Sequence, residues 1–214
     1  MVGQGVLQEC LRSREVESIL PIGRRGTGRQ HPKLREMVHR DFTDFSAVGG
    51  ELCGYDACFF CLGVSSLCMN EADYRRVTYD FALAAAGSLA RMNPNMTFIY
   101  VSGAGTDSSG RGSTMWARVK GQTENAIFEL PFKAAYAFRP AYIQPLNGVV
   151  AGTTWLRALY AVAGPLYPVW KALFPKYVTT TAQVGRAMIH VAREGAPKRV
   201  LENRDINDIC GEDG

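Results

Sequence analysis

The sequence predicts an α/β fold: a doubly wound parallel sheet followed by a small helical C-terminal part. Two observations predict it. Short apolar runs alternate with helical patterns along the chain, and glycines directly follow several of the apolar runs. Such alternation is typical of a parallel sheet with helices on both faces. Right-handed crossovers between successive strands then produce a doubly wound sheet.

The apolar runs and the helical periodicity assign each element. Strands are predicted at 18–23, 34–40, 56–62, 96–102, 134–138 and 199–201, and helices at 4–13, 71–92, 115–130 and 182–193. The run 56–62 is almost continuously apolar, which is typical of a strand buried on both faces. Pro94 ends the long second helix, and a polar tail is expected from Asp208.

The start of the chain predicts that the first strand of this fold is missing. Residues 1–7 resemble the end of a glycine-rich phosphate loop entering a helix, yet no apolar strand precedes them. In the usual 3-2-1-4-5-6 order that strand lies between 18–22 and 56–62. Each unpaired buried backbone group costs about 1–3 kcal/mol of a total stability of about 5–15 kcal/mol. We therefore expect an N-terminally shortened gene model or a fragment, whose full form begins upstream with a strand and Gly-x-x-Gly.

Composition indicates a globular protein. The 214 residues are 47% hydrophobic and 21% charged, with a formal net charge of +4. The scattered basic residues suit a small anionic ligand and are atypical of nucleic-acid binding. Six cysteines without a secretory segment predict reduced thiols and a cytoplasmic protein. No metal site is expected: Cys58 and Cys61 face opposite sides of a strand, and the three histidines stand alone.

The character of the chain changes near residue 145. From the phosphate-loop glycines and the strand order, we predict a dinucleotide-binding domain at 1–145, with a substrate-side helical segment at 146–214. Residues 154–174 are rich in aromatic and aliphatic side chains but are interrupted by charges and prolines. Helices packed on the catalytic face or in a homodimer contact are favoured. The alternative is peripheral membrane attachment, through Trp155, Tyr160, Tyr167 and Trp170.

Two arginines follow the run 18–23, which is the second strand of the fold when the missing strand is counted as the first. Dinucleotide folds that bind NAD place an acidic residue at that point to bind the adenosine ribose, whereas arginine accommodates the 2′-phosphate of NADP. Arg24 and Arg25 therefore indicate NADP rather than NAD. The alternative is a solvated turn, because 26–29 continues the polar stretch. That stretch imitates a phosphate loop but runs into Pro32 instead of a helix, so it is not the primary phosphate site.

Two further motifs end neighbouring strands. Leu62 and Gly63 follow the most apolar strand, where a residue without a β-carbon lets a ligand approach the backbone. The alternative interpretation is a tight turn only. Ser102 closes the next strand and precedes a glycine- and serine-rich loop.

Taken in order, these motifs resemble the short-chain dehydrogenase/reductase superfamily. Within it the chain is similar to the atypical NAD(P)-binding branch of Tat-interacting-protein-like and NAD-dependent epimerase/dehydratase-like proteins. The matching pieces are Gly3, Arg24-Arg25, Asp41, Tyr55-Asp56, Cys61-Leu62-Gly63, Tyr79-Asp80, Val101-Ser102, Val119-Lys120-Gly121, Glu124 and Phe138-Arg139-Pro140. The resemblance implies a Rossmann-like fold, an NADP or NAD cofactor, and cofactor contacts at Gly3, Arg24, Arg25, Asp41, Leu62, Gly63 and Lys120.

The same resemblance implies catalytic roles. The family uses a serine, a tyrosine and a lysine, the last two spaced Tyr-x-x-x-Lys on one helix face. Ser102 and Lys120 occupy two of these places, and Trp116 stands in the third. An indole N–H donates a hydrogen bond but is no general acid near neutral pH. Four explanations are open: another hydroxyl such as that of Tyr142 substitutes, Ser102 alone polarises the substrate, the reaction differs, or the domain only senses the cofactor.

The leading functional prediction is an NADP-preferring oxidoreductase or epimerase/dehydratase-like protein that acts on a small carbonyl or hydroxyl compound. A non-catalytic NAD(P)-binding regulator is the competing class, and Trp116 supports it. A third alternative is an inactive fragment.

Overall fold

The computed structural model describes residues 1–146 and 177–211. The chain divides into two compact units. Unit 1 comprises Met1–Arg40, Pro140–His190 and Asn203–Gly214, and unit 2 comprises Asp41–Arg139 and Val191–Glu202. The functional division predicted at residues 145 and 146 stays a prediction. The membrane or dimer segment proposed at 154–174 lies outside the described residues.

The helices and strands follow one another along the chain. In order they are α1 (Val2–Arg12), β1 (Ile22–Gly23), β2 (Met37–Val38), a 3-10 helix (Ser46–Leu52), β3 (Ala57–Phe60), α2 (Glu71–Arg75), a π-helical turn (Arg76–Asp80), α3 (Phe81–Met92), β4 (Thr97–Val101), α4 (Met115–Phe128), β5 (Ala134–Arg139), β6 (Tyr142–Gln144), β7 (Val178–Thr180), α5 (Thr181–Glu194), β8 (Val200–Glu202) and α6 (Asn203–Gly211).

Unit 2 is built on a parallel four-stranded sheet in the order β3-β4-β5-β8. All five residues of β4 are buried, because a central strand is covered on both faces. Phe98 and Phe138 are fully buried, and the Phe98 ring stacks on Phe132 at 5.0 Å between centroids. Consecutive parallel strands place their carboxyl ends at the same edge of this sheet.

Asn93 joins the long helix to the sheet of unit 2. Its backbone N–H donates to the Leu89 carbonyl at the helix end, 2.8 Å away. Its side-chain oxygen accepts from the backbone N–H groups of Gly54 and Tyr55, and its amide nitrogen donates to the Leu52 carbonyl at 2.8 Å. One buried amide therefore fixes the segment that leads into β3.

Unit 1 contains α1, α5 and two short parallel strand pairs, β1-β2 and β6-β7. The two helices pack closely through glycines: a β-carbon on Gly5 would lie 2.5 Å from Cβ of Thr181, and one on Gly185 would lie 2.9 Å from Cβ of Glu9. Gly5 is thus required by helix packing.

The predicted α/β alternation is confirmed, and the run 71–92 is helical throughout, with a π-helical turn inside it. The strand expected at 18–23 is reduced to Ile22–Gly23 and an isolated parallel bridge from Ile19 to Leu34. Among the described strands, β1 pairs with β2 and β3 pairs with β4, and none is hydrogen-bonded between β1 and β3.

Three details of the sequence prediction were wrong. Within the strand expected to be fully buried, Ala57, Cys58 and Phe59 are only half-buried, because the described part of the chain pairs β3 on one edge alone. The expected polar tail from Asp208 belongs to helix α6, whose Ile206 is fully buried. Strands β6 and β7 were not predicted.

The cysteines of the described residues differ in exposure, and all are free thiols. Cys10 is buried, Cys53 and Cys68 are exposed, and desolvation raises the pKa of Cys58 to about 12. In the parts of the chain that the structure describes, no helix combines the length and apolarity needed to cross a membrane.

Candidate active site

The carboxyl ends of β3 and β4 define the candidate site in unit 2. The two strands pair in parallel, with Phe60 opposite Tyr100. Continuing that register by three residues places Gly63 level with Gly103, just beyond the strand ends. Ligands of open α/β sheets bind outside the carboxyl ends of the strands. The prediction that Leu62, Gly63 and Ser102 lie at the ends of neighbouring strands is therefore confirmed, although both strands end one or two residues earlier than predicted.

Gly63 and Gly103 are not required by backbone geometry. Neither has a positive φ, and a β-carbon on either would meet no heavy atom within 4 Å. A tight turn that needs glycine is therefore not the reason for either residue. The space beside both backbones is open, as a ligand that lies against them requires.

Ser102 is held by its backbone and by its side chain. Its N–H donates to the Phe138 carbonyl of β5 at 2.8 Å, so strand pairing continues past β4. The side chain is buried, and its Oγ lies 2.9 Å from Oγ1 of Thr106. Alternation along the strand places Tyr100 and Ser102 on one face of the sheet.

Lys120 lies on α4 beside that face. Its Nζ is 5.6 Å from the ring centroid of Tyr100, a distance at which a cation is attracted to the ring. The side chain is half-buried, and its amine has no hydrogen bond or ion pair with any described residue. Desolvation lowers the pKa of Lys120 from 10.5 to about 8, although Glu124 acts in the opposite direction. Such perturbed groups cluster at functional sites.

Trp116 is the second residue of the same helix. It is four residues before Lys120, so the two share a helix face, as the spacing predicted. A β-carbon on Gly105 would lie 3.4 Å from Cη2 of Trp116, so the indole packs against the loop that follows Ser102. The indole N–H has no partner among the described residues. It is a free donor at this place, but it does not release its proton near neutral pH.

The loop 103–114 is fixed against α4. The Asp107 N–H donates to the Ala117 carbonyl at 3.1 Å, and a β-carbon on Gly121 would lie only 1.7 Å from the Asp107 carbonyl oxygen. Gly121 therefore permits the close approach of loop and helix. The Asp107 carboxylate accepts hydrogen bonds from Ser109 and Gly112, which lower its pKa to about 2. The loop is thereby held in one conformation.

Arg139 binds inside the protein. Its guanidinium makes two parallel hydrogen bonds to the carboxylate of Glu124, and both side chains are buried. Further bonds reach Oγ of Ser108 at 2.7 Å and Glu202 at 3.2 Å. The sequence alone does not show which group Arg139 binds. The structure shows the internal carboxylate, so Arg139 is a structural residue.

The remaining predicted cofactor residues occupy local structures of their own. Gly3 lies in the first turn of α1, and Arg24 and Arg25 are exposed directly after β1. These three belong to unit 1. Asp41, in unit 2, is exposed, and its carboxylate accepts from the N–H and hydroxyl of Thr43. Their cofactor roles stay predictions.

Two residues outside the cofactor set also have defined partners. The carboxylate of Glu36 accepts from the N–H and hydroxyl of Thr27, so an acidic group occupies the polar turn that imitates a phosphate loop. The hydroxyl of Tyr142, considered as a substitute acid, donates to Oε1 of Gln144 at 2.8 Å, and desolvation raises its pKa.

Sequence reasoning missed Thr106, Tyr100 and Gly103. A signal existed for Tyr100, because it precedes Ser102 by two residues on a predicted strand and so shares its face. None existed for Thr106, whose contact depends on the conformation of a loop.

Comparison with known proteins supports the fold. No protein-family model matches the chain. The fold is a Rossmann-like α/β fold, shared with the enzyme WbmF of Bordetella bronchiseptica in complex with NAD+ (TM-score 0.64, 14% identity, 97% of this chain and 73% of that chain). A UDP-N-acetylglucosamine 4-epimerase from Methanobrevibacter ruminantium M1 is also similar (TM-score 0.62, 12% identity, 94% of this chain and 72% of that chain).

One known protein is also similar to this chain in sequence. Protein HTATIP2 of Rattus norvegicus is 26% identical over 208 residues, which cover 95% of this chain and 83% of that protein. Together with the shared fold, this likeness confirms the resemblance stated from the motifs.

The lowered pKa of Lys120 predicts a pH-dependent contribution to stability. Between about pH 8 and 10.5 the unfolded chain keeps a proton on this amine that the folded chain has lost. Stability should therefore rise with pH in that window, because the folded state binds fewer protons. Urea unfolding at pH 7.5 and 10 should show that Lys120→Met lacks this increment, whereas the exposed Lys133→Met retains it. If the free energy of unfolding depends on pH equally in both variants, the lowered pKa of Lys120 is contradicted.

Proposed function

We propose that this chain binds a nicotinamide dinucleotide and acts as an oxidoreductase or epimerase/dehydratase-like protein on a small carbonyl or hydroxyl compound. The observation that carries the proposal is Lys120: a half-buried amine without a described partner, beside the sheet face that carries Ser102. The described residues leave this amine open to a ligand, and titratable groups with a shifted pKa cluster at functional sites.

The residues at the strand ends fit a dinucleotide. Gly63 and Gly103 leave their backbones open to a flat or extended ligand, and Lys120 offers a cation and three donors. A bound nicotinamide supplies hydride transfer. The structure of WbmF in complex with NAD+, which shares the fold, supports the same cofactor class for this chain.

Trp116 limits which groups of the site can act as a general acid. Its N–H can hold a ligand oxygen but cannot release a proton near neutral pH. Lys120 is the group on α4 whose pKa, about 8, suits proton exchange there. Ser102 orients the ligand.

A regulator that binds the cofactor without turnover is the second candidate, and Trp116 is the observation that favours it. Incubation with NADPH and a panel of carbonyl compounds separates the two, because a sensor binds without oxidising the cofactor.

Three finer proposals accompany this function. The cofactor is NADP in preference to NAD, the protein works in the cytoplasm, and its ligand partner is a small molecule. Contact with a second copy of the chain, or with a membrane surface, is proposed for 154–174.

Gly63→Ala tests the site without disturbing the fold. The added methyl group meets no protein atom within 4 Å, so the free energy of unfolding should change by less than about 0.5 kcal/mol. NADPH affinity should fall several-fold, because the methyl group occupies the ligand's side of the backbone. Fluorescence titration and urea unfolding measure the two effects.

Gly50→Ala is the matched control, since Gly50 also has open space and lies in the 3-10 helix away from the strand ends. The proposal fails if the wild-type chain does not bind NADPH, or if Gly63→Ala binds it as tightly as Gly50→Ala does.

Replacement of both Arg24 and Arg25 by alanine tests the cofactor preference. Loss of the guanidinium groups should weaken NADP binding and leave NAD binding nearly unchanged, since only NADP carries the 2′-phosphate. The ratio of the two dissociation constants measures this effect. Arg29→Ala, an exposed arginine five residues after Arg24, is the control. An unchanged ratio in the double variant would refute the role of these arginines.

A further inference from the structure

The hydroxyl groups of Ser102 and Thr106 form a hydrogen-bond chain with a fixed direction. Thr106 Oγ1 lies 2.7 Å from the carbonyl oxygen of Gly103 and 2.9 Å from Ser102 Oγ. A carbonyl oxygen only accepts, so Thr106 must donate its one proton to Gly103. The proton in the contact between the two hydroxyls then belongs to Ser102, which donates to Thr106.

From this direction we infer that Thr106 positions the Ser102 hydroxyl as a hydrogen-bond acceptor toward the ligand, so that the site favours the hydroxyl member of an alcohol–carbonyl pair. This inference rests on the proposed function and names the side of the reaction that the site recognises.

The arrangement is held in place from several directions. The Ser102 N–H is bound to the Phe138 carbonyl, and the Thr106 N–H donates to the Gly103 carbonyl at 3.2 Å. Both side chains are more than nine-tenths buried. Neither hydroxyl has a further described partner, so the free lone pairs of Ser102 are left for a ligand.

The preference follows from what each ligand can donate. An alcohol donates its own proton to Ser102 and accepts from the donors on α4, which are the Lys120 amine and the Trp116 N–H. A ketone oxygen accepts only. It faces the lone pairs of Ser102 unless the hydroxyl breaks its bond to Thr106, which then loses a buried partner.

The experiment compares Thr106→Val with wild type. Saturation-transfer NMR measures dissociation constants for matched pairs such as cyclohexanol with cyclohexanone, and benzyl alcohol with benzaldehyde. The alcohols are bound to the NADPH-loaded chain and the carbonyl compounds to the NADP+-loaded chain, so that neither complex reacts. Removal of the Thr106 hydroxyl frees Ser102 to donate. The ratio of alcohol to carbonyl dissociation constants should rise about five-fold, the effect of one neutral hydrogen bond.

Two controls separate positioning from a general structural effect. Thr106→Ser keeps the hydroxyl and should keep the wild-type ratio. In the Ser102→Ala background, Thr106→Val should leave the ratio unchanged, because the group that it directs is gone.

The outcomes also separate this inference from the proposed function. Chains that bind NADPH but show the same ratio in wild type and Thr106→Val overturn the inference alone, as does a loaded chain that binds no member of any pair. A wild-type chain that does not bind NADPH overturns the proposed function as well.

Discussion

The buried ion pair between Arg139 and Glu124 is the interaction on which the candidate site depends. It joins the carboxyl end of β5 to the middle of α4, and it reaches the loop 103–114 through Ser108. Removal of one partner of such a pair leaves the other charge buried and costs about 3–5 kcal/mol. Lys120 and Trp116 lie on the helix that this pair fixes, and Ser102 begins the loop. The ion pair thus helps to fix the helix that carries Lys120 and Trp116 and the loop that follows Ser102.

Some polar side chains of the site have hydrogen-bond partners, and others have none among the described residues. Arg139, Glu124 and Asp107 have hydrogen bonds for their charged atoms, and they give the surroundings rigidity. Lys120 and Trp116, on the same helix, have none with the described residues. In the proposed function these two free donors are the groups that a ligand contacts. The proposed function assigns the proton chemistry to Lys120 rather than to Trp116.

Much of the fold and part of the candidate site were predictable from the sequence, because they depend on local periodicity. The run 71–92 and the strand around Phe98 are long and strongly patterned, so their types and approximate bounds were predicted correctly. The four-residue spacing of Trp116 and Lys120 places them on one helix face in any α-helix. At Gly63 the structure shows open space and excludes a turn that requires glycine, and the role of Gly63 in cofactor binding stays a prediction.

The rest depended on contacts that no local pattern encodes. Strands β6 and β7 are three residues each and pair across more than thirty residues of chain. The partner of Arg139 lies fifteen residues away on another element. The direction of the Ser102 hydroxyl depends on a loop oxygen, and helix α6 has a polar composition that resembled a tail.

Residue-resolved amide hydrogen exchange with and without NADPH tests the central claim most directly, because it locates the bound cofactor on the chain. The account predicts that NADPH slows exchange in the segments 61–66 and 102–106, which follow β3 and β4. It predicts no change at the far ends of the same strands. Binding of NADPH with unaltered exchange in both segments would contradict it.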